Sequence, residues 1–572
     1  MSRAGASSLN PVGASPGARN GPPSRRSRQT LRLRRWQRRA LDAFNESERS
    51  DFLAVATPGA GKTTFALTAA RLTLPKIGGR LIVVAPTRHL KLQWASAAEN
   101  FGLHLDTDWS LTEALAPDVH GLVTTYQQVA TSSLELSGVA NGGMVILDEV
   151  HHAGDELAWG DGVVTAFGPA ARRLALSGTP FRSDTAAIPF LRYVGEQVEP
   201  DIEYGYGEAL GDGGVVRPVY FPRFGGHMEW TAPDGSEVSA TFDDALPRSL
   251  ANQRLRAALS LDGEWLPQVL SHAHRQLLEI RNHQPDAGGL VIATDQEHAH
   301  AIARLLRDRF RVLATVALSE DSDASAKIGR FATNNDPWIV AVRMVSEGVD
   351  IPRLRVGVHA TTTTTELFFR QAVGRIVRHT GGRSRAYMFV PDDPRLRHYA
   401  NSIAESRRHR LKHHAEEERK REAAERPDEG DQMSLFAVHS ATLTEAADAE
   451  IDDILAEVDE PDLPTDPAEA GAGGVNLEPN LLIDLDQLPP VATAAGVRVS
   501  GGRAERERQR SINTRWVRDI ASLTGQSHAQ INAELNRLSG VAKVSQATVQ
   551  QLERRAEAAA QWYDRERRRR RI

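Results

Sequence analysis

A glycine-containing loop stands between an apolar run, Phe52–Ala56, and a helical stretch that continues to about residue 72. Glycine lets backbone N–H groups close around a phosphate, and the N-terminus of the following helix adds positive potential. In such a loop the lysine reaches the β and γ phosphates and the next threonine can ligate Mg²⁺. The general phosphate-loop pattern begins with glycine, whereas this chain has Ala56 at that first position. The sequence therefore predicts an α/β domain with a nucleotide-phosphate site at Thr57, Pro58, Gly59, Ala60, Gly61, Lys62 and Thr63.

Short apolar runs separated by Gly and Pro recur in two series along the chain. Continuous apolar runs are typical of the central strands of a parallel sheet, and the helical stretches between them indicate repeated βαβ units. The sequence therefore predicts an α/β fold with two tandem parallel-sheet domains. The first series is Phe52–Ala56, Leu81–Pro86, Leu122–Thr125, Met144–Leu147 and Leu174–Leu176; the second is Leu290–Ala293, Val312–Ala317, Ile339–Met344, Val356–Ala360 and Tyr387–Val390.

The chain has 572 residues, which is too long for one hydrophobic core. Its charge is segregated, because residues 427–497 contain 17 Asp and Glu and no Lys or Arg, whereas both termini are basic. We expect a disordered basic arm, two α/β domains, a charged helix, a mobile acidic linker and a small helical domain with an Arg-rich tail. We expect the basic arm at 1–30 and the two α/β domains at 31–200 and 288–400, with a connecting insertion between them at 201–287. The charged helix is expected at 401–426, the acidic linker at 427–497 and the helical domain with its Arg-rich tail at 498–572.

Two adjacent carboxylates, Asp148 and Glu149, follow the apolar run Met144–Leu147, and His151 lies two residues further on. One carboxylate at the end of a strand can hold the Mg²⁺ shell while the other orients an attacking water. A strand that ends in solvated acids is the alternative. The preceding phosphate loop favours the phosphoryl-transfer interpretation.

A helix-like run in the second α/β region carries Gln371, Arg375 and Arg378. The two arginines are three residues apart and would share a helix face, so both could point towards charge developing on a γ phosphate. Structural ion pairs are the alternative interpretation. Because two neighbouring cations repel each other, a shared anionic target is favoured.

With these motifs in order, the chain from about residue 31 to 395 resembles superfamily 2 helicases of the DEAH/DExH type, especially the branch of restriction-enzyme motor subunits. The resemblance depends on the sequence of motifs and not on any one of them. They are Trp36-Gln37, the phosphate loop, Ala85-Pro86-Thr87-Arg88, Val123-Thr124-Thr125-Tyr126, Asp148-Glu149-Val150-His151, Ser177-Gly178-Thr179-Pro180, Ser346-Glu347-Gly348-Val349-Asp350 and the helix from Gln371 to Arg378.

The resemblance implies two RecA-like domains with ATP and Mg²⁺ bound between them and nucleic acid lying across both. It implies that Asp148 and Thr63 hold Mg²⁺, that Glu149 activates water, and that His151 couples hydrolysis to strand movement. The second domain would complete the site with Gln371, Arg375 and Arg378. The resemblance further assigns nucleotide contacts to Gln37, Thr64, Gly348 and Asp350, coupling to Ser177 and Thr179, and nucleic-acid contacts to Thr87, Arg88, Thr124 and Tyr126.

The leading hypothesis is an ATP-dependent DNA helicase or duplex-DNA translocase, with RNA less favoured as the polymer. A nucleotide-gated DNA-binding scaffold, which recruits protein partners through the acidic linker and the C-terminal domain, is the alternative from another class. The region 514–538 could be a helix-turn-helix or a generic helical hairpin. His409 and His413 are interpreted as part of a solvated charged face and not as a metal site.

The chain contains no cysteine, which excludes thiolate nucleophiles and cysteine-held metal sites. No run of 18 apolar residues occurs, so we expect a cytoplasmic protein outside the membrane.

Overall fold

The computed structural model describes residues 30–109, 114–154, 157–178, 187–194, 197–318, 323–342, 351–378, 384–408, 482–485, 487–493 and 502–569. The basic arm up to residue 29, most of the acidic linker, and the candidates Thr179, Gly348, Asp350, His409 and His413 lie outside these residues. The charged helix expected at 401–426 is described only to residue 408, as the end of a helix that begins at 394. Within the described part of the chain, no helix is long and apolar enough to cross a membrane.

The first domain is built on a seven-stranded sheet in which all neighbouring strands are parallel. Its central strands, such as Leu81–Ala85, are buried at every residue because helices cover both faces. This burial accounts for their continuous apolar sequences. The order across the sheet is Ile202–Tyr204, Asp51–Ala56, Arg172–Ser177, Met144–Leu147, Leu81–Ala85, Gly121–Thr125 and Leu105–Asp106.

The second domain repeats this architecture with a sheet of parallel strands. Its central strand Leu354–Ala360 is buried throughout. Arg223–Phe224 adds a further short pairing beside Ala386–Pro391. Two parallel-sheet domains, as predicted, are therefore confirmed. The order across the second sheet is Val219–Tyr220, Ala386–Pro391, Leu354–Ala360, Gly288–Ala293, Trp338–Val342 and Ala314–Ala317.

Helices connect the strands on both faces of each sheet. In the first domain they are Arg35–Glu46, Lys62–Ile77, Arg88–Glu99, Tyr126–Thr131, Ser133–Ala140, Leu157–Phe167 and Tyr206–Gly211, with a 3-10 turn at Val150–Gly154. In the second they are Arg248–Leu259, Trp265–Arg281, Gln296–Phe310, Ala324–Thr333, Glu366–Ile376 and residues 394–408. Three antiparallel pairs stand apart from the main sheets in the described part of the chain: Thr30–Arg32 with Leu482–Asp484, Tyr193–Val194 with Gln197–Val198, and His227–Thr231 with Glu237–Thr241.

The connecting insertion expected at 201–287 is not a separate unit, and this part of the domain prediction is wrong. Ile202–Tyr204 completes the first sheet beside Asp51–Ala56, whereas Val219–Tyr220 begins the second sheet. Helix Trp265–Arg281 packs against the second sheet, with Leu266 and Val269 in its core. Edge strands of two or three residues are too short to show a periodic pattern, so the sequence did not reveal the boundary.

Three helices form the C-terminal domain: Arg503–Thr524, His528–Ser539 and Val549–Arg569, with a 3-10 turn at Val544–Gln546. The first helix ends at Gly525, whose φ of 75° is left-handed. The second helix begins with a capping box formed by Ser527 and Gln530. Ile520, Ile531, Leu535 and Ala559 form a small core of this domain.

The end of the acidic segment is attached to the first domain, in contrast to the mobile linker expected up to residue 497. Leu482–Asp484 pairs antiparallel with Thr30–Arg32. Arg71 donates to the carbonyl oxygens of Leu488 and Pro489. The apolar side chains Ile483, Leu485 and Val491 pack against the core of the first domain. Because the segment as a whole has an acidic composition, the packing of these few apolar residues was not predicted from the sequence.

Candidate nucleotide site and its nucleic-acid face

The phosphate loop connects strand Asp51–Ala56 to helix Lys62–Ile77. Gly59 and Gly61 have φ values of 82° and 89°, which side chains other than glycine rarely adopt. A Cβ atom at Gly61 would also stand 2.6 Å from Gln37 Nε2. The loop therefore requires glycine at this position for both its backbone conformation and its close packing.

Three side chains around the start of helix Arg35–Glu46 donate hydrogen bonds to carbonyl oxygens of the phosphate loop. Arg34 donates to the Gly59 carbonyl at 2.8 Å, Trp36 Nε1 to the Ala60 carbonyl at 3.0 Å, and Gln37 Nε2 to the Gly61 carbonyl at 2.9 Å. Gln37 Oε1 accepts from the Arg34 backbone N–H at 2.8 Å. Both ends of the Gln37 amide thus bond to the protein, and the nucleotide contact implied for it stays a prediction.

Lys62 and Glu149 form an ion pair in the cleft, with Nζ 2.8 Å from Oε1. The other oxygen of Glu149 accepts from the Gly178 backbone N–H at 3.1 Å. Burial by itself raises the pKa of Glu149, but the charge of Lys62 and the hydrogen bonds from Lys62 and the Gly178 N–H outweigh it and lower this pKa to about 2. Glu149 is therefore ionised, as a group that accepts a proton from water must be.

Asp148 is buried beside this pair, and Trp94 Nε1 donates to its Oδ2 at 2.7 Å. Burial first, and the neighbouring charge of Glu149 second, raise the pKa of Asp148 to about 6. Trp94 was not among the site residues predicted from the sequence, so this contact was missed. No local pattern could have revealed it, because the two residues are 54 positions apart.

His151 joins the two domains across the cleft. Its Nδ1 lies 3.2 Å from Ser177 Oγ in the first domain, and its Nε2 lies 3.2 Å from Gln371 Nε2 in the second. An amide nitrogen only donates, so Nε2 of the imidazole accepts and Nδ1 carries the proton. The ring is 2% exposed. The structure thus brings His151 and Ser177, which were predicted to have coupling roles, together with Gln371, which was predicted to complete the nucleotide site.

Helix Glu366–Ile376 of the second domain packs directly on the phosphate loop. A Cβ at Gly374 would stand 2.5 Å from Pro58 Cγ, and a Cβ at Gly59 would stand 3.3 Å from Arg378 Cγ. The helix ends at Ile376, so Arg378 does not share a helix face with Arg375, contrary to the sequence expectation. Arg378 instead reaches the loop from the residues after the helix, where its backbone bridges to Val216.

The four residues expected to face nucleic acid differ in exposure. Thr124 and Tyr126 are buried, with the Thr124 hydroxyl donating to Gln128 and the Tyr126 hydroxyl donating to the Asp148 carbonyl at 2.9 Å. Both side chains are thus bonded inside the protein in this conformation, and the nucleic-acid contacts implied for them stay predictions. Thr87 caps helix Arg88–Glu99 by accepting from the Leu90 backbone N–H, and Arg88 is exposed beside it.

The donors of this cleft fit a nucleotide triphosphate with Mg²⁺. The loop glycines have positive φ, Lys62 supplies a cation, and Thr63 is half-buried in the first helical turn. Within the described residues, no group of three or more metal-ligating side chains occurs. Mg²⁺ bound through one or two protein oxygens plus substrate phosphates needs none, so Thr63 and Asp148 suffice as protein ligands.

Two family models match the chain: one described as the res subunit of type III restriction enzymes, over residues 30–182, and one described as the helicase conserved C-terminal domain, over residues 271–380. The uncharacterized protein ML1624 of Mycobacterium leprae is 39% identical over 567 residues, which cover 92% of this chain and 94% of ML1624. A Sulfurisphaera tokodaii protein named DNA 3'-5' translocase XPB2 is 24% identical over 366 residues, which cover 61% of this chain and 79% of that protein. The structure of S. cerevisiae Dbp5 bound to RNA and ADP BeF3 is 15% identical to this chain, with a TM-score of 0.42. The match covers 66% of this chain and 88% of the Dbp5 chain.

The first parallel-sheet domain carries a phosphate loop and a carboxylate pair, and an arginine-bearing helix of the second domain packs on that loop. This arrangement defines a two-domain RecA-like protein of the helicase class. The chain belongs to the superfamily 2 helicases, in a family that it shares with the mycobacterial protein ML1624.

Proposed function

We propose that this protein is an ATP-dependent DNA helicase or duplex-DNA translocase that couples ATP hydrolysis to movement on, or unwinding of, DNA. The observation that carries the proposal is the bonding of His151 to Ser177 on one side of the cleft and to Gln371 on the other. A hydrogen bond that crosses the cleft can exist only when the two domains are close together. His151, whose Nδ1 lies 3.7 Å from Glu149 Oε2, thereby responds to the relative position of the domains.

In the proposed site, the phosphate loop binds the triphosphate with backbone N–H groups, and Thr63 and Asp148 hold Mg²⁺. When bound, Mg²⁺ neutralises charge on the β and γ phosphates. Lys62 is paired with Glu149 in this structure. Its ammonium must turn from that carboxylate to the phosphates when nucleotide binds, and this leaves Glu149 free to accept a proton from the attacking water.

The second domain contributes cations to the same site. Arg378 lies against the phosphate loop, and Arg375 is half-buried on helix Glu366–Ile376. A guanidinium supplied across a cleft stabilises charge that grows in the transition state. Closure of the two domains would therefore set the rate of hydrolysis. The roles implied for Gln37, Thr64, Thr179, Gly348 and Asp350 remain part of this proposal.

DNA is the proposed polymer because the relative XPB2 is named as a DNA translocase. Thr87 and Arg88 stand at the carboxyl end of strand Leu81–Ala85, where a hydroxyl and a guanidinium suit phosphate oxygens without reading sequence.

The test is ATP hydrolysis measured in parallel without polymer, with single-stranded DNA, with duplex DNA and with RNA, and with Lys62→Ala as the negative control. Stimulation by DNA above RNA supports the proposal. Stimulation by RNA alone would make the chain an RNA helicase. DNA binding gated by nucleotide, without stimulated hydrolysis, would favour a DNA-binding scaffold.

A further inference from the structure

The first C-terminal helix, Arg503–Thr524, has one face that the rest of its domain does not cover. The exposed residues recur at helical spacing and include three guanidinium and two hydroxyl groups: Arg508, Ser511, Thr514, Arg515 and Arg518. A shallow groove runs along this face. One carboxylate, Glu507, lies at its N-terminal end. Within the described residues no ion pair forms to Arg515 or Arg518, whereas Arg508 pairs with Glu505 at 3.1 Å.

Buried charge fixes this helix to the first domain. The Arg506 guanidinium pairs with Asp118, and both side chains are buried. The second Asp118 oxygen accepts from the Val549 backbone N–H at 3.1 Å, at the start of the last helix. One carboxylate thus holds two of the three C-terminal helices. Arg506 also donates to the Ala547 carbonyl at 2.6 Å, which leaves neither charge uncompensated.

The anchoring contacts also define the direction of the helix relative to the first sheet. At its start, the Arg503 backbone N–H donates to Glu99, near His104 at the amino end of edge strand Leu105–Asp106. Two turns later, Arg510 pairs with Asp108, which follows the carboxyl end of that strand, at 3.3 Å. The helix therefore runs from the amino edge of the sheet to its carboxyl edge.

The exposed arginines lie beyond that edge. Arg518 is eight residues past Arg510, which corresponds to about 12 Å along an α-helix. In a parallel sheet all carboxyl ends lie at one edge, and Arg88 follows the end of strand Leu81–Ala85 at the same edge. That strand is two positions from Leu105–Asp106 in the sheet, a lateral separation of about 10 Å.

We propose that the exposed face of Arg508, Ser511, Thr514, Arg515 and Arg518 binds the phosphodiester backbone of duplex DNA that crosses the carboxyl edge of the first sheet. This inference rests on the proposed function. Guanidinium and hydroxyl donors spaced along a helix match phosphate oxygens and hold the backbone without reading bases. The C-terminal domain thereby lengthens the DNA track of the first domain and moves with it.

The test uses the full chain, a labelled duplex of mixed sequence and anisotropy titrations at several salt concentrations. The double variant Arg515→Gln, Arg518→Gln loses two phosphate contacts, and each contact contributes about 0.9 to the slope of log affinity against log salt. The slope should therefore flatten by about 1.8. Between about 50 and 200 mM salt, the parent should lose about tenfold more affinity than the variant.

Two matched variants complete the design. Arg537→Gln with Arg554→Gln removes the same charge from the other two C-terminal helices, and Arg537 is already paired with Glu534. This control should keep the parental slope, as should Arg515→Lys with Arg518→Lys, which retains both charges. Thermal melting establishes that every variant is folded.

Parental affinity and slope in the Gln double variant would overturn the inference and leave the proposed function standing. An equal loss in the control would overturn it too, because bulk charge and not this face would then bind DNA. If the parent binds RNA but no DNA, or binds neither, the inference fails together with the proposed function.

Discussion

The two parallel-sheet domains have the same layered architecture but contribute very differently to the cleft between them. The first supplies the phosphate loop, the carboxylates Asp148 and Glu149, and Ser177 from separate strand ends. The second supplies Gln371, Arg375 and Arg378 from one helix and the residues after it. In the proposed function, the first domain therefore holds the nucleotide by itself, whereas the second acts on it only when the domains are close.

This difference separates two kinds of defect. Substitutions in the first domain should impair nucleotide binding or the chemical groups themselves. Substitutions in the second should leave binding intact and slow turnover, because their groups stabilise the transition state more than the ground state.

The largest effect is expected for Lys62→Ala. The phosphate loop loses its cation next to the transferred group, so ATP turnover should fall to background and nucleotide affinity should weaken. Steady-state hydrolysis and nucleotide titration measure both quantities. Lys76→Ala, at the exposed end of the same helix, is the control and should behave as the parent. Parental turnover in Lys62→Ala would remove the nucleotide site from this loop.

Arg375→Ala and Arg378→Ala should each slow single-turnover hydrolysis, by up to about 10³–10⁵-fold, with little loss of nucleotide affinity. The phosphate loop on the first domain still holds the nucleotide. Arg370→Ala, on the same helix but paired with Glu366 at 2.7 Å, serves as the control. A variant that hydrolyses ATP at the parental rate would show that its arginine is not a transition-state cation, and the comparison of the two domains would fail there.

Glu149→Gln should lower hydrolysis by about 10²–10⁴-fold, because an amide cannot accept the proton from water. ATP affinity should be retained or rise, since Lys62 is then no longer held by a carboxylate. Equilibrium binding of ATP and single-turnover hydrolysis measure the two effects. Loss of nucleotide binding in a folded variant would instead assign Glu149 a structural role.

Trp94→Phe should have a smaller effect, confined to the metal. Losing the indole N–H leaves Asp148 Oδ2 without its donor, and such outer-shell changes cost about tenfold or more in metal affinity. We expect a higher Mg²⁺ requirement for binding a non-hydrolysable ATP analogue, with unchanged binding of metal-free nucleotide. Trp338→Phe removes the N–H donated to His274 in the second domain and is the matched control. Equal Mg²⁺ dependence in both variants would refute the positioning role of Trp94.

The smallest effect on basal hydrolysis is expected for Asp118→Asn. Breaking a buried ion pair costs about 3–5 kcal/mol, so the C-terminal domain should loosen from the first domain. Hydrogen exchange in residues 502–569 should rise while polymer-free ATP turnover stays within about twofold of the parent. A collapse of polymer-free turnover with both sheets folded would mean that the C-terminal helices belong to the motor core.

The sequence predicted the parts of the fold that depend on local pattern. Central strands such as Leu81–Ala85 and Leu354–Ala360 are buried on both faces, so their continuous apolar sequences were legible. The phosphate loop could be predicted as well, because positive φ at Gly59 and Gly61 favours glycine and so leaves a recognisable motif in the sequence. Short edge strands such as Ile202–Tyr204 carry no such pattern, so the domain boundary was misplaced.

Contacts between distant segments were beyond the reach of sequence patterns. Trp94 reaches Asp148 across 54 positions, and Arg71 bonds the carbonyl of Pro489 across 418. The family resemblance implied a nucleic-acid contact for Tyr126, whereas its hydroxyl donates inward to the Asp148 carbonyl. Only the folded chain shows which side of a strand end a side chain occupies.

The central claim is that hydrolysis in the cleft drives movement on DNA. ATP-dependent displacement of a labelled strand, from a forked duplex and from a triplex, tests it most directly. The parent should displace strand from at least one substrate with ATP, and neither Lys62→Ala nor a non-hydrolysable analogue should support displacement. DNA-stimulated hydrolysis without displacement from either substrate would contradict the claim and leave a nucleotide-gated DNA-binding protein.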